Sequence, residues 1–257
     1  MTSQTIKLGS PPIIEAVIDI DCDMPPQPDI EALDTAAKSA MADHYPIARR
    51  RWLSGHAIAS VDSAPASVIP LHGLQAMQYL TADERQIVQW RPNGFSFNRL
   101  APYGSLDDYL PEIERTWRIF VIGAAPVICR MVRLRYINRL LLPLREDGRV
   151  ELNDYLAVSP RPADEGRFTF AGFVSQQSMI DNATGALVNV LLTTQQQQPQ
   201  ELNKVLPIIF DIEVFQGIAC EPGDWHALSG RIMQLRALKN DVFRQSLTER
   251  CLNLYRP

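Results

Sequence analysis

Residues Cys129 to Pro143, CRMVRLRYINRLLLP, form the longest uninterrupted strand-like run in the chain and lie near its middle. Side chains alternate along a strand, so Met131, Arg133, Arg135, Ile137 and Arg139 fall on one face and Val132, Leu134, Tyr136, Asn138 and Leu140 on the other. One face belongs to a core and the other is basic.

The segments on either side extend the pattern. Ile14, Ala16, Ile18 and Ile20 alternate with Glu15, Val17, Asp19 and Asp21 as a half-buried strand, and Asp29 stands where it would cap an Ala-rich helix from Ile30 to about His44. Arg49 to Val61 reads as extended, and Asp62 to Gly73 as a loop marked by two prolines and a terminal glycine. Leu74 to Leu80, Arg85 to Trp90 and Phe95 to Leu100 read as antiparallel strands, the last two joined by the turn Pro92-Asn93-Gly94. Ser105 stands three residues before Asp108, a capping-box spacing, and a main helix is expected from about Leu110 with Ile113, Trp117, Phe120 and Val121 on one face.

The second half repeats this order. After the central strand come a short helix (Glu151 to Val158), strands Arg167 to Ile180, Ala186 to Gln195 and Val205 to Gln216, and a last helix from Asp224 to about Leu252. That helix carries Leu228, Ile232, Leu235, Leu238, Val242 and Leu247 as an apolar stripe. Pro207 cannot donate to a ladder, which suggests an edge or bulged third strand. The expected fold is α+β: two similar halves, 1–125 and 126–257, each packing antiparallel strands on a long helix, whether as separate domains or one continuous domain.

Composition narrows the partners. With 46% hydrophobic and 21% charged residues the chain resembles ordinary soluble globular proteins. A net charge of −4 and a pI near 5.6 argue against a general nucleic-acid or acidic-membrane binder. The start, MTSQTIKLGSPP, lacks an apolar run of signal-peptide length and no stretch reaches membrane-helix length, so a cytoplasmic protein without a membrane partner is expected. Cys22, Cys129, Cys220 and Cys251 form no CxxC pair, which fits buried thiols in a reducing compartment.

The segments PPIIEAVIDI, GFSFNRLAPYGSLDDYLPEIERTWRIF, LRYINRLLLP with LNDYL, and VFRQSLTERC are similar to those of a sporadically distributed bacterial family of about this length and of unknown function. The resemblance spans nearly the whole chain, and the YGS and LRYINR segments are its most specific parts. It implies a bacterial, soluble, single-unit protein and supplies no catalytic residues.

No GxSxG, P-loop or GxGxxG motif occurs, and no cofactor is expected. His44, His56, His72 and His226 form no i, i+4 pair. The candidate ligand-binding set is Arg99, Arg133, Arg135, Arg139 and Asn138, with Phe97 and Arg99 joining the basic face if their strands are neighbours. Grouped arginines make bidentate contacts to phosphate or carboxylate; the bland alternative is pairing with acidic residues of adjacent strands. A non-catalytic binding protein is therefore expected, taking a small anion or a protein partner on the basic face or in the groove between the halves. The competing expectation is a metal-dependent phosphodiesterase or nuclease using Asp19, Asp21, Asp211 and Glu213. The two separate on whether those carboxylates meet each other or the arginines.

Overall fold

The computed structural model of the chain describes residues 8–26, 30–59, 67–161, 163–164, 167–168, 170–202 and 204–256, with side chains throughout except at 30, 53–59 and 67–72. Asp29 and residues 60–66 lie outside the described residues, and so do the side chains of His56 and His72.

The alternating segment Ile13–Asp23 is strand β1, and its register decides the architecture. Ile18 pairs with Phe97 of β5 (Gly94–Leu100) on one side and with Leu134 of β6 (Ile128–Pro143) on the other, both antiparallel. The remaining strands are β2 (Ile47–Ala59), β3 (Ser67–Leu80), β4 (Gln86–Arg91), β7 (Val174–Ile180), β8 (Leu187–Thr194) and β9 (Val205–Cys220). All nine form one antiparallel sheet in the order β2-β3-β4-β5-β1-β6-β9-β8-β7. The β1–β6 pair is its centre, so the halves share a single sheet. Counted outward from that pair, β5 stands where β9 does and β4 where β8 does.

The apolar face of the sheet carries the helices α1 (Ile30–Met41), α2 (Leu106–Ala124) and α3 (Trp225–Ser246), with α4 (Glu249–Asn253) closing the chain. Phe95 of β5 meets Trp117 of α2 edge-on at 5.5 Å between ring centroids, and Phe210 of β9 stacks on Phe243 of α3 at 5.8 Å. Burying these rings is the main force holding helices to sheet. Among the described residues no helix is long and apolar enough to cross a membrane.

Several local expectations needed correction. Residues 67–73, expected as loop, continue β3, because β2 offers a pairing partner along its whole length. Helix α2 begins at Leu106 rather than near Leu110: Ser105 and Asp108 make the capping box, and the helix runs on through Pro111. The expected helix at 151–158 is only a single 3-10 turn, Leu152–Asp154, and β7 starts at Val174. Pro207 lies in an interior strand between β6 and β8. It is tolerated because it stands just past the β8 ladder, where its carbonyl accepts from the Gln195 N–H at 2.9 Å. Strand register also aligns Cys22, Cys129 and Cys220 on β1, β6 and β9, which their sequence spacing conceals. The Cys22 neighbour and burial raise the Cys129 thiol pKa.

Candidate functional site

The five expected ligand-binding residues do not share a face. Arg133 and Arg135 stand on the outer sheet face, opposite the helices. Arg135 donates to Asp211 at 2.6 to 3.0 Å; Arg133 lies 3.4 Å from Asp21 and 3.6 Å from Glu213, over the Phe215 ring. Arg139, on the same face, clasps Glu201 through two bonds of 2.6 and 2.8 Å and donates to Gln195 at 2.6 Å. That pairing holds the Glu201 carboxyl down at about 2.

Arg99 is on the other side. It pairs in register with Ala16, and Phe97 with Ile18, both buried beneath the helices, so the expected Phe97/Arg99 extension of the basic face does not form. The Arg99 guanidinium instead sits 5.2 Å from the Tyr109 ring centre. Asn138 also faces the helices, buried, donating to the carbonyls of Tyr136 and Phe210 at 3.2 and 3.0 Å.

The carboxylates of the metal-site expectation meet donors. Asp19 accepts from Ser96 Oγ at 2.5 Å, Asp21 from Arg91 at 2.7 Å, Asp211 from Arg135, and Glu213 from Asn189 at 2.9 Å. They are counter-charges within one polar ladder across the sheet. Among the described residues no group of three or more His, Cys, Asp or Glu is placed to hold a metal.

The helix side holds a site that the arginine pattern did not indicate. A cavity of about 670 Å³ opens between the start of α2 and the second half of α3, over the β1–β6 centre. Its walls come from both halves: Leu8, Gly9, Pro11 to Ile13 and Tyr103 to Asp108 from the first, Tyr136, Asn138, Arg236, Lys239, Asn240, Phe243 and Arg244 from the second. The YGS segment and the LRYINR segment thus meet across it.

Local chemistry builds each wall. Ser105 caps α2, accepting from the Asp107 N–H at 3.3 Å, while Asp108 accepts from the Ser105 N–H at 2.8 Å. Arg236 of α3 then grips Asp107 with two bonds of 2.6 and 2.8 Å and donates to Ser105 Oγ at 3.1 Å, fixing α3 to the head of α2. Tyr103 and Tyr136 join by their hydroxyls at 3.1 Å, and burial pushes both phenols well above their ordinary pKa. The N-terminal wall is held by Gly9 and Ser10 N–H groups, which donate to the Tyr255 carbonyl at 2.9 and 3.2 Å.

Lys239 lines this cavity and is 8% exposed. Its ammonium lies 3.9 Å from the centre of the Tyr136 ring, and among the described residues it has no hydrogen-bond or ion-pair partner. The other charged walls are engaged: Arg236 with Asp107, Arg244 with Asp241, and Asp108 with the α2 cap. Burial, aided by the positive Arg236 one turn away, pushes the Lys239 amine down to about 7. A buried ammonium without a counter-ion is costly and is rare in structures that have no use for it.

A signal for Lys239 was present in the sequence. Leu228, Ile232 and Leu235 advance by the three- and four-residue steps of a buried helix face, and the next step lands on Lys239 rather than Leu238. Tyr136 and Asn138 likewise interrupt the apolar side of β6. No known protein-family model and no curated protein matches the chain.

Proposed function

We propose that the protein binds a small anionic molecule in the groove between its halves, with Lys239 as the charge that receives it. The observation carrying this reading is the Lys239 ammonium, buried at a cavity of small-molecule size with no partner among the described residues. The positive end of the α2 dipole opens on the same cavity and adds to the attraction, although Asp107 and Asp108 in its first turn offset part of it. A ligand acid group would supply the missing counter-charge, and the tyrosine pair would supply hydroxyls to orient it. The outer-face arginines are weaker candidates, since Arg135 and Arg139 already hold carboxylates.

The mirrored strand order about β1 and β6 supports, as part of the same reading, an origin by internal duplication, with the ligand held where the two copies meet. The YGS and LRYINR segments, the most specific parts of the family resemblance, both line this cavity.

The test is thermal denaturation with inorganic phosphate, sulfate and glycolate, on the wild type and Lys239→Met. Any ligand bound by the native state alone stabilises it, by about 2.7 kcal/mol at one hundred times Kd. The reading requires a stabilisation by at least one of these anions that Lys239→Met loses. Equal stabilisation of both proteins, or of neither, overturns it.

A further inference from the structure

Four of the 25 basic residues are lysine, Lys7, Lys38, Lys204 and Lys239; the rest are arginine. Where the described residues pair a carboxylate across elements they use arginine, as at Arg50, Arg135, Arg139 and Arg236. At its buried cavity position it uses lysine instead. The two side chains differ in one property that burial makes decisive: an arginine stays charged, whereas a desolvated lysine gives up its proton and exposes a nucleophilic lone pair.

We propose that Lys239 is the nucleophile of this cavity and forms an imine with an aldehyde or ketone that carries an acid group. The proposal rests on the anion-binding reading and names the reactive part of the ligand: the acid group enters against the protonated fraction of Lys239, and the neutral fraction attacks the carbonyl. Three features of the geometry favour it. Among the described residues no carboxylate holds the amine in its charged form. The cationic Arg236 stands on the same helix face, an arrangement that activates lysines for carbonyl chemistry. The Tyr103 and Tyr136 hydroxyls on the cavity wall share one hydrogen bond, which leaves the pair one phenol proton to donate to the carbonyl oxygen.

The step needs no oxidant or reductant. The amine lone pair attacks the carbonyl carbon, the carbonyl electrons pass to oxygen, and a proton moves from nitrogen to that oxygen to give a carbinolamine. Nitrogen then forms the second bond to carbon as the C–O bond breaks, and both amine hydrogens leave in the water released. An amine titrating at about 7 is half neutral at pH 7, whereas an ordinary lysine near 10.4 is neutral in roughly one molecule in two thousand. The titratable and charged groups that share the cavity lining with Lys239 are Tyr136 from β6, Tyr103 from the loop before α2, Asp107 and Asp108 from α2, and Arg236 and Arg244 from α3.

The experiment treats the wild type at pH 7 with glyoxylate, or with the larger 4-carboxybenzaldehyde, and sodium cyanoborohydride, and maps the reduced adducts by peptide mass spectrometry. Exposed Lys38 and Lys204 are internal references. Lys239 should be alkylated at least about tenfold faster than either. Its rate should level off above pH 7 while theirs continue to rise. Saturating glycolate, an acid of the same size without the carbonyl, should slow Lys239 alone. Labelling of Lys239 no faster than the references, while glycolate still stabilises the wild type, overturns the imine and leaves the anion site standing. Slow labelling with no stabilisation by glycolate, phosphate or sulfate overturns both.

Discussion

Replacing Lys239 with methionine removes a charge that the native state holds at a disadvantage, and the consequence has a definite sign. The folded amine titrates at about 7 because of burial and Arg236, while an unfolded lysine titrates near 10.4. Between those values the unfolded chain binds the proton and the native chain does not, so the stability contributed at this position rises with pH. Its cost is full well below pH 7, about 5 kcal/mol from the difference in titration, is about 4 kcal/mol at pH 7, and falls below about 1 kcal/mol by pH 10. Lys239→Met should therefore exceed the wild type in stability at pH 7, and its advantage should shrink by about 3 kcal/mol on going to pH 10. Urea melts of both proteins at several pH values measure this directly, since the difference between them cancels the other titrating groups. An advantage that does not change with pH, or a variant less stable at every pH, would refute the reasoning. It would mean that Lys239 is charged and adequately paired.

Other substitutions discriminate structure from binding. Arg135→Ala should cost about 1 to 2 kcal/mol in urea melts, because it strands Asp211, whose side chain is only 9% exposed, while the half-exposed arginine discounts the larger penalty of a fully buried pair. Arg139→Ala should lower Tm by a few degrees at pH 7; since Glu201 is held down at about 2, the difference should vanish as pH falls through that value. Gly94→Ala should cost about 3 kcal/mol or more: its φ is +148°, and a Cβ would stand 2.1 Å from the Ile20 carbonyl oxygen. An Arg130→Ala control should leave denaturation unchanged, because Arg130 and Asp23 are both half-exposed.

Much of the fold was legible because its causes are local. The two-residue alternation of Ile13–Asp23 and Ile128–Pro143 set which side chains go inward, and Val132, Leu134, Tyr136, Asn138 and Leu140 are all buried as that alternation requires. Ser105 and Asp108 announced the head of α2, and Pro92-Asn93-Gly94 the β4–β5 turn. Boundaries failed where a partner strand overrode composition, as in residues 67–73, or where a cap outweighed a proline, as at Pro111.

The site was legible only in part. Alternation within one strand cannot say which face of a neighbouring strand will join it, so Arg99 and Phe97 were set beside Arg133 when pairing with Ala16 and Ile18 turns them the other way. The acidic partners of Arg135 and Arg139 lie 76 and 62 residues away, a separation at which no spacing rule applies.

What the sequence determined by itself was the alternation of β1 and β6, the cap at the head of α2, and the inward-facing polar residues Tyr136 and Asn138. Propensity, pattern and capping act over a few residues, and those are all present in the chain as written. Only the tertiary structure decided that β1 lies between β5 and β6, that the outer arginines are neutralised, and that Lys239 from α3 meets Tyr136 at a shared cavity. Those outcomes depend on strand register and on how the apolar faces of distant elements bury one another, and a register is a property of two segments that neither carries alone.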